Sequence, residues 1–137
     1  MSNETLIIFG GIIAFGAFFL YVVTVVSRRT NGLDKDFYRE KWAQIDAAAM
    51  QEVGWVQAIV EADKLLDDAL KKSGYKGKNM GERLVSASRS FSNKDRTWAA
   101  HKLRNRVVHE TTIKLRKNHV DGALSGFKKA LKDLGAL

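Results

Sequence analysis

Residues 55–73, WVQAIVEADKLLDDALKKS, set Ala58, Ile59, Ala62, Leu65, Leu66, Ala69 and Leu70 at intervals of mostly three and four. That spacing gathers them on one stripe of a helix, and Gly74 just beyond is a helix stop. A helix with an apolar stripe must bury it against other elements. The 137-residue chain contains no proline, which favours continuous helices over turn-rich β architecture, and no cysteine. Without cysteine there is no disulfide framework, no thiolate zinc site and no thiol nucleophile.

On the amino-terminal side of this stretch, Tyr38, Trp42, Ile45 and Ala49 share one face of a helix expected from Asp34 to Glu52, with Gly54 bending or ending it. On the other side, Gly74-Tyr75-Lys76-Gly77-Lys78 reads as a loop, and Asn79 with Glu82 three residues later caps a short helix carrying Leu84, Val85 and Phe91. Ser92 with Asp95 repeats that pattern and opens a helix through about His109. Asn118 or Asp121 starts a last helix with Leu124, Phe127, Ala130, Leu131 and Leu134 inside. The expected fold class is all-α, with residues 34–137 forming a bundle of four to five helices.

Before the bundle, Leu6–Val26 (LIIFGGIIAFGAFFLYVVTVV) holds no charged residue over 21 positions, roughly 31 Å of helix and close to the thickness of a bilayer core. The expectation is a single transmembrane anchor within residues 1–27 and a linker at 28–33. The competing reading, a cleaved signal peptide, asks for a basic start and a shorter apolar run, whereas this chain begins MSNE. All 23 Lys and Arg residues follow the span, beginning with Arg28 and Arg29. The positive-inside bias then places the amino terminus outside an inner membrane and residues 28–137 in the cytoplasm.

Charge switches along the remainder. Residues 34–68 hold four basic and nine acidic side chains, whereas 71–137 hold seventeen basic and five acidic ones. The carboxyl half is therefore a surface for a polyanion such as RNA, or for an anionic lipid layer, unless its cations simply solvate helix faces. No phosphate loop, HExxH or EF-hand spacing occurs, and His101, His109 and Glu110 lack a further ligand at metal-binding spacing, so neither a cofactor nor a metal is implied. Phe37, Tyr38, Trp42, Trp55 and Trp98 either stack on bases or fill the core and interfaces.

The stretch richest in chemistry is Ala100-His101-Lys102-Leu103-Arg104-Asn105-Arg106-Val107-Val108-His109-Glu110. It combines a guanidinium fork for phosphate, a hydrogen-bonding amide and imidazoles able to move a proton near neutral pH. Asn105 and His109 are four apart on nearly one face, with His101 a turn behind. Arg104 and His109 lie about 140° apart around a helix, so a distorted helix or two copies facing across a two-fold axis would be needed to join them.

Arg104 through His109 resembles the RNxxxH form of the arginine–histidine motif of HEPN domains, which are small helical bundles. AIVEADKLLDDALKKSGYKGKNMGERL followed by WAAHKLRNRVVHE is similar to the helix pair and motif helix of bacterial HEPN-like proteins, and the likeness covers about residues 34–135. The resemblance implies a homodimer with a composite, metal-independent endoribonuclease site, often in toxins or defence systems. In that site His109 assists proton transfer, Arg104 stabilises phosphate charge and Asn105 orients one or the other. Arg106, His101 and Lys102 would be binding residues, and the products would be a 2′,3′-cyclic phosphate and a 5′-hydroxyl. Some members of the family only bind nucleotides or proteins, a regulatory partner among them.

Each assignment has a plainer counterpart. Arg104 can pair with Asp63 or Asp67, Asn105 can tie a neighbouring loop, and His109 can sit at the negative pole of its helix for stability. His101 is expected at the surface or satisfied in an interface. The classes left standing are a tethered ribonuclease, a noncatalytic nucleotide- or protein-binding module, and a basic membrane-surface scaffold.

Overall fold

The computed structural model describes residues 2–30 and 32–137, with the backbone alone for 26–30. The described residues are all-helical, with six α-helices and no strand. They divide into two units, residues 1–32 and 33–137.

The first unit is α1, Asn3–Thr30. Its segment Asn3–Val25 is long and apolar enough to cross a membrane, a property that a signal sequence shares, and its isoleucine and phenylalanine side chains are exposed. The side chains of Arg28 and Arg29, on which the expected orientation rests, lie outside the described residues, as does Asn31 of the expected linker.

The second unit contains α2 (Lys35–Ala49), α3 (Trp55–Lys72), α4 (Met80–Ser86), α5 (Lys94–His109) and α6 (Lys117–Asp133), with 3-10 turns at Glu52–Gly54 and Ser88–Ser90. Helix α3 is the hub: it packs against α2, α4, α5 and α6, and α5 pairs with α6. All seven residues of its expected stripe are buried, together with Tyr38, Trp42 and Ile45 of α2 and Leu124, Phe127, Ala130 and Leu131 of α6. Burial, and then the 2.6 Å hydrogen bond that its hydroxyl donates to Asp68, push the Tyr38 phenol well above its ordinary pKa.

Several boundaries differ from expectation for identifiable reasons. Helix α2 ends at Ala49 rather than Glu52 because the chain folds back on it. A Cβ at Gly54 would come 1.9 Å from the Ala48 carbonyl oxygen, and the Trp55 indole N–H donates to the Ala49 carbonyl at 3.1 Å, satisfying one end-of-helix acceptor. Asn79 caps α4 as expected, accepting the Glu82 N–H at 2.9 Å. Helix α5 is capped by Asn93, not Ser92, since the Ser92 N–H and hydroxyl both donate to Asp133 at the end of α6, at 2.9 and 2.8 Å. Helix α6 starts at Lys117, just before Asn118, with His119 Nδ1 accepting the Arg116 N–H at 3.4 Å. Val85, expected inside, is exposed.

Helices α5 and α6 are in close contact at Gly126, where an added Cβ would stand 2.9 Å from the Arg96 carbonyl oxygen. Gly126→Ala must push the two backbones apart and is expected to lower stability by about 1–3 kcal/mol, read as a lower midpoint in urea. Two carboxylates set the acid limb. Burial opposes ionisation of Asp67 and of Asp133, but hydrogen bonds from Arg83 and Lys71 to the first, and from Ser92 and Lys129 to the second, outweigh it and hold both below the usual carboxylate range. Their contribution is fully present above the unfolded value near about 4 and is lost as pH falls towards the folded values, because the unfolded chain takes up protons first. Denaturation midpoints from pH 7 down to 2.5 should therefore decline below about pH 4. Asp67→Asn should lower the neutral-pH midpoint and shrink that decline.

Candidate functional site

Where α3, α4 and α5 meet, a groove of about 440 Å³ is lined by Asp63, Asp67, Asn79, His101, Arg104 and Asn105, among others. Asp63 decides its geometry. It stands four residues after Ile59 and three before Leu66, on the buried face of α3, and only 3% of it is exposed. A carboxylate taken out of water must find donors. One Asp63 oxygen lies 2.7 Å from His101 Nδ1, and the other 3.4 Å from Arg104 Nε.

Asn105 closes the circuit. Its amide nitrogen lies 3.3 Å from His101 Nε2, and its oxygen accepts from Arg104 Nη1 at 2.9 Å. The three contacts agree with one another if His101 carries its proton on Nδ1: Nδ1–H donates to Asp63, Nε2 accepts from Asn105, and Asn105 accepts from Arg104. The buried Arg104 Nε makes an ion-pair approach to Asp63 but no hydrogen bond. Trp98 sets its ring edge-on to His101, 6.0 Å between centroids.

A second clamp stands beside the first. Arg83 of α4 grips Asp67 with two parallel bonds, Nε to Oδ1 at 2.6 Å and Nη2 to Oδ2 at 3.0 Å, and donates from Nη1 to the Gly77 carbonyl at 2.6 Å. The hydrogen bond with Asp67, set against the burial that opposes charge, holds the Arg83 pKa above its ordinary value. Lys71 reaches the same carboxylate at 3.0 Å.

Of the six residues singled out in the motif helix, His101, Arg104 and Asn105 come together here. Of the two placements expected for His101, the surface one does not hold: it is buried where α5 meets α3 and satisfied there by Asp63. Arg104 takes Asp63 as its partner, and Asp67 belongs to Arg83. His109, at the end of α5, and Lys102 are exposed and line no part of this groove. Arg106 pairs with Glu110 at 3.2 and 3.3 Å and borders a different groove, between α5 and α6. Sequence reasoning missed Asp63 as the centre of the site and Arg83 as its neighbour. The signal for Asp63 was present, a carboxylate inside an apolar stripe. Of the aromatic residues, Tyr38 and Trp42 are buried in the core, Trp55 and Trp98 are half-buried, and Phe37 is exposed. Comparison with protein-family models gives no match, and no curated protein or solved structure matches the chain either.

Removing Asp63 would leave His101 without its hydrogen-bond partner and Arg104 without its counter-ion. Asp63→Ala is expected to destabilise the bundle by about 3 kcal/mol or more, whereas Arg106→Ala, breaking an exposed i,i+4 pair, should stay within about 0.5 kcal/mol. Chemical denaturation of the two variants side by side checks the contrast.

Proposed function

We propose that this chain is a membrane-tethered, HEPN-like module that acts on RNA as a homodimer, its Arg104, Asn105 and His109 serving as a metal-independent endoribonuclease site. The observation that carries the reading is the circuit around Asp63. It holds Arg104 and Asn105 in fixed register at a groove mouth, with the guanidinium about one quarter exposed, and leaves His109 a turn beyond in solvent. Preorganised donors of this kind stabilise the charge that grows on a phosphate in the transition state. A second copy would supply the facing motif. His109 would take the proton from the 2′-hydroxyl or give one to the 5′ leaving oxygen, so that the 2′-oxygen attacks phosphorus and a cyclic phosphate forms. The surplus of basic side chains in residues 71–137 supports RNA as the polyanion, and α1 supports tethering, with the bundle on the cytoplasmic face.

A second reading has its own observation. Arg104 is already engaged by Asp63 and Asn105, which suits a noncatalytic domain that binds a nucleotide or a partner protein through the same groove.

One experiment separates the two. The full chain in detergent micelles, incubated with single-stranded RNA and a chelator, is expected to yield fragments ending in 2′,3′-cyclic phosphate. His109→Ala and Arg104→Ala should each lower the rate about a hundredfold or more, with His109→Ala retaining the wild-type melting temperature. Intact RNA from a dimeric preparation would leave the binding reading in its place.

A further inference from the structure

The opposite side of α5 carries a larger groove than the one just described. It measures about 560 Å³, within the range of small-molecule sites, and lies between α5 and α6 under the 110–116 connection. Its apolar lining combines the small side chains of Ala99, Ala100, Gly122 and Ala123 with Leu103 and Ile113, and Arg96, Arg106 and Lys114 make the rest of it cationic. Glu110 stands in the same groove beside Arg106.

Gly122 is the informative residue. A glycine inside a helix is disfavoured relative to alanine, and it is normally explained by a left-handed backbone or by a neighbour too close for a Cβ. Neither holds at this position. The positive-φ glycines among the described residues are Gly74 and Gly135, and a Cβ built at Gly122 meets nothing within 4 Å. Gly126, one turn later on the same face of α6, is in contact with α5 through the Arg96 carbonyl. The two helices thus touch at Gly126 and leave an open slot at Gly122, at some loss of helix stability.

We propose that this slot is a ligand site for a nucleoside phosphate, either free or at the end of an RNA strand. The planar base packs on the apolar lining, in the space left open at Gly122 beside Ala99, Ala100 and Ala123. Arg96, Arg106 and Lys114 take the phosphate, and the Glu110 carboxylate accepts from ribose hydroxyls. His119 adds one donor. Its Nδ1 accepts the Arg116 N–H, so in the neutral ring the proton sits on Nε2. This site stands apart from the Arg104 groove and does not depend on the reading given to it.

The test is calorimetry on the full chain in detergent micelles, with AMP, inorganic phosphate and a 5′-phosphorylated RNA oligonucleotide as probes. AMP is expected to bind, and Gly122→Leu and Lys114→Ala should each weaken it about tenfold or more. Gly122→Leu should melt at or above the wild-type temperature, because leucine is the better helix former and the space is open. Competition by the oligonucleotide identifies a strand end as the source, and its failure to compete identifies the free nucleotide. AMP binding that survives Gly122→Leu and Lys114→Ala, or phosphate binding as tight as AMP, overturns the proposal. If Arg104→Ala abolishes AMP binding and Gly122→Leu does not, the ligand belongs to the Arg104 groove and the present site falls while the ribonuclease reading stands. AMP binding sensitive to Gly122 in a preparation that leaves RNA intact is the reverse case.

Discussion

A single carboxylate, that of Asp63, sits inside the helix face that builds the core. An apolar stripe supplies most of the stabilisation but tolerates sliding, since one aliphatic side chain replaces another at modest loss. A buried carboxylate does not: it must meet its donors or remain uncompensated in a medium of low dielectric. Asp63 finds His101 and Arg104 on α5, and Asp67 one turn on finds Arg83 on α4. These two pairings set how far α4 and α5 lie along α3, and the motif groove is the space they leave between them.

The same contacts account for part of the charge asymmetry. Acidic α3 and the basic elements that follow it are joined in the fold by Asp63–Arg104 and Asp67–Arg83, so some of the imbalance along the chain is internal complementarity. The rest is outward: Lys102, Arg106, Lys114, Arg116 and Lys117 all remain exposed along α5, the 110–116 connection and the start of α6. Helix α5 is consequently unusual in the bundle. It buries Thr97, Ala100 and His101, shows one side to α3 through polar contacts, and shows another to α6 through small residues, with ligand-sized grooves on both sides.

Much of this could be read from residue order. The α3 stripe, the inner faces of α2 and α6, the Asn79 cap and the apolar α1 segment follow from 3.6-residue periodicity, cap chemistry and the length of an uncharged run, all of which act over a few neighbouring residues. Where expectation failed or left alternatives, a partner distant in sequence intervened. Ser92 did not cap α5 because its hydroxyl is turned to Asp133, 41 residues away, and Asn93 accepts the helix N–H instead. Of the surface and interface placements open to His101, the second was selected by Asp63, 38 residues earlier.

The order of residues therefore determined that this chain is helical, which face of each long helix turns inward, and that one segment is apolar and long enough for a bilayer, since these depend on local spacing alone. Tertiary structure decided which carboxylate receives which cation, that Arg104, Asn105 and His101 share one circuit while His109 stands outside it, and that Gly122 opens a slot where Gly126 closes one. The reason is that an ion pair or a helix crossing is chosen by three-dimensional reach among several chemically equivalent partners, and spacing along a chain carries no preference among them.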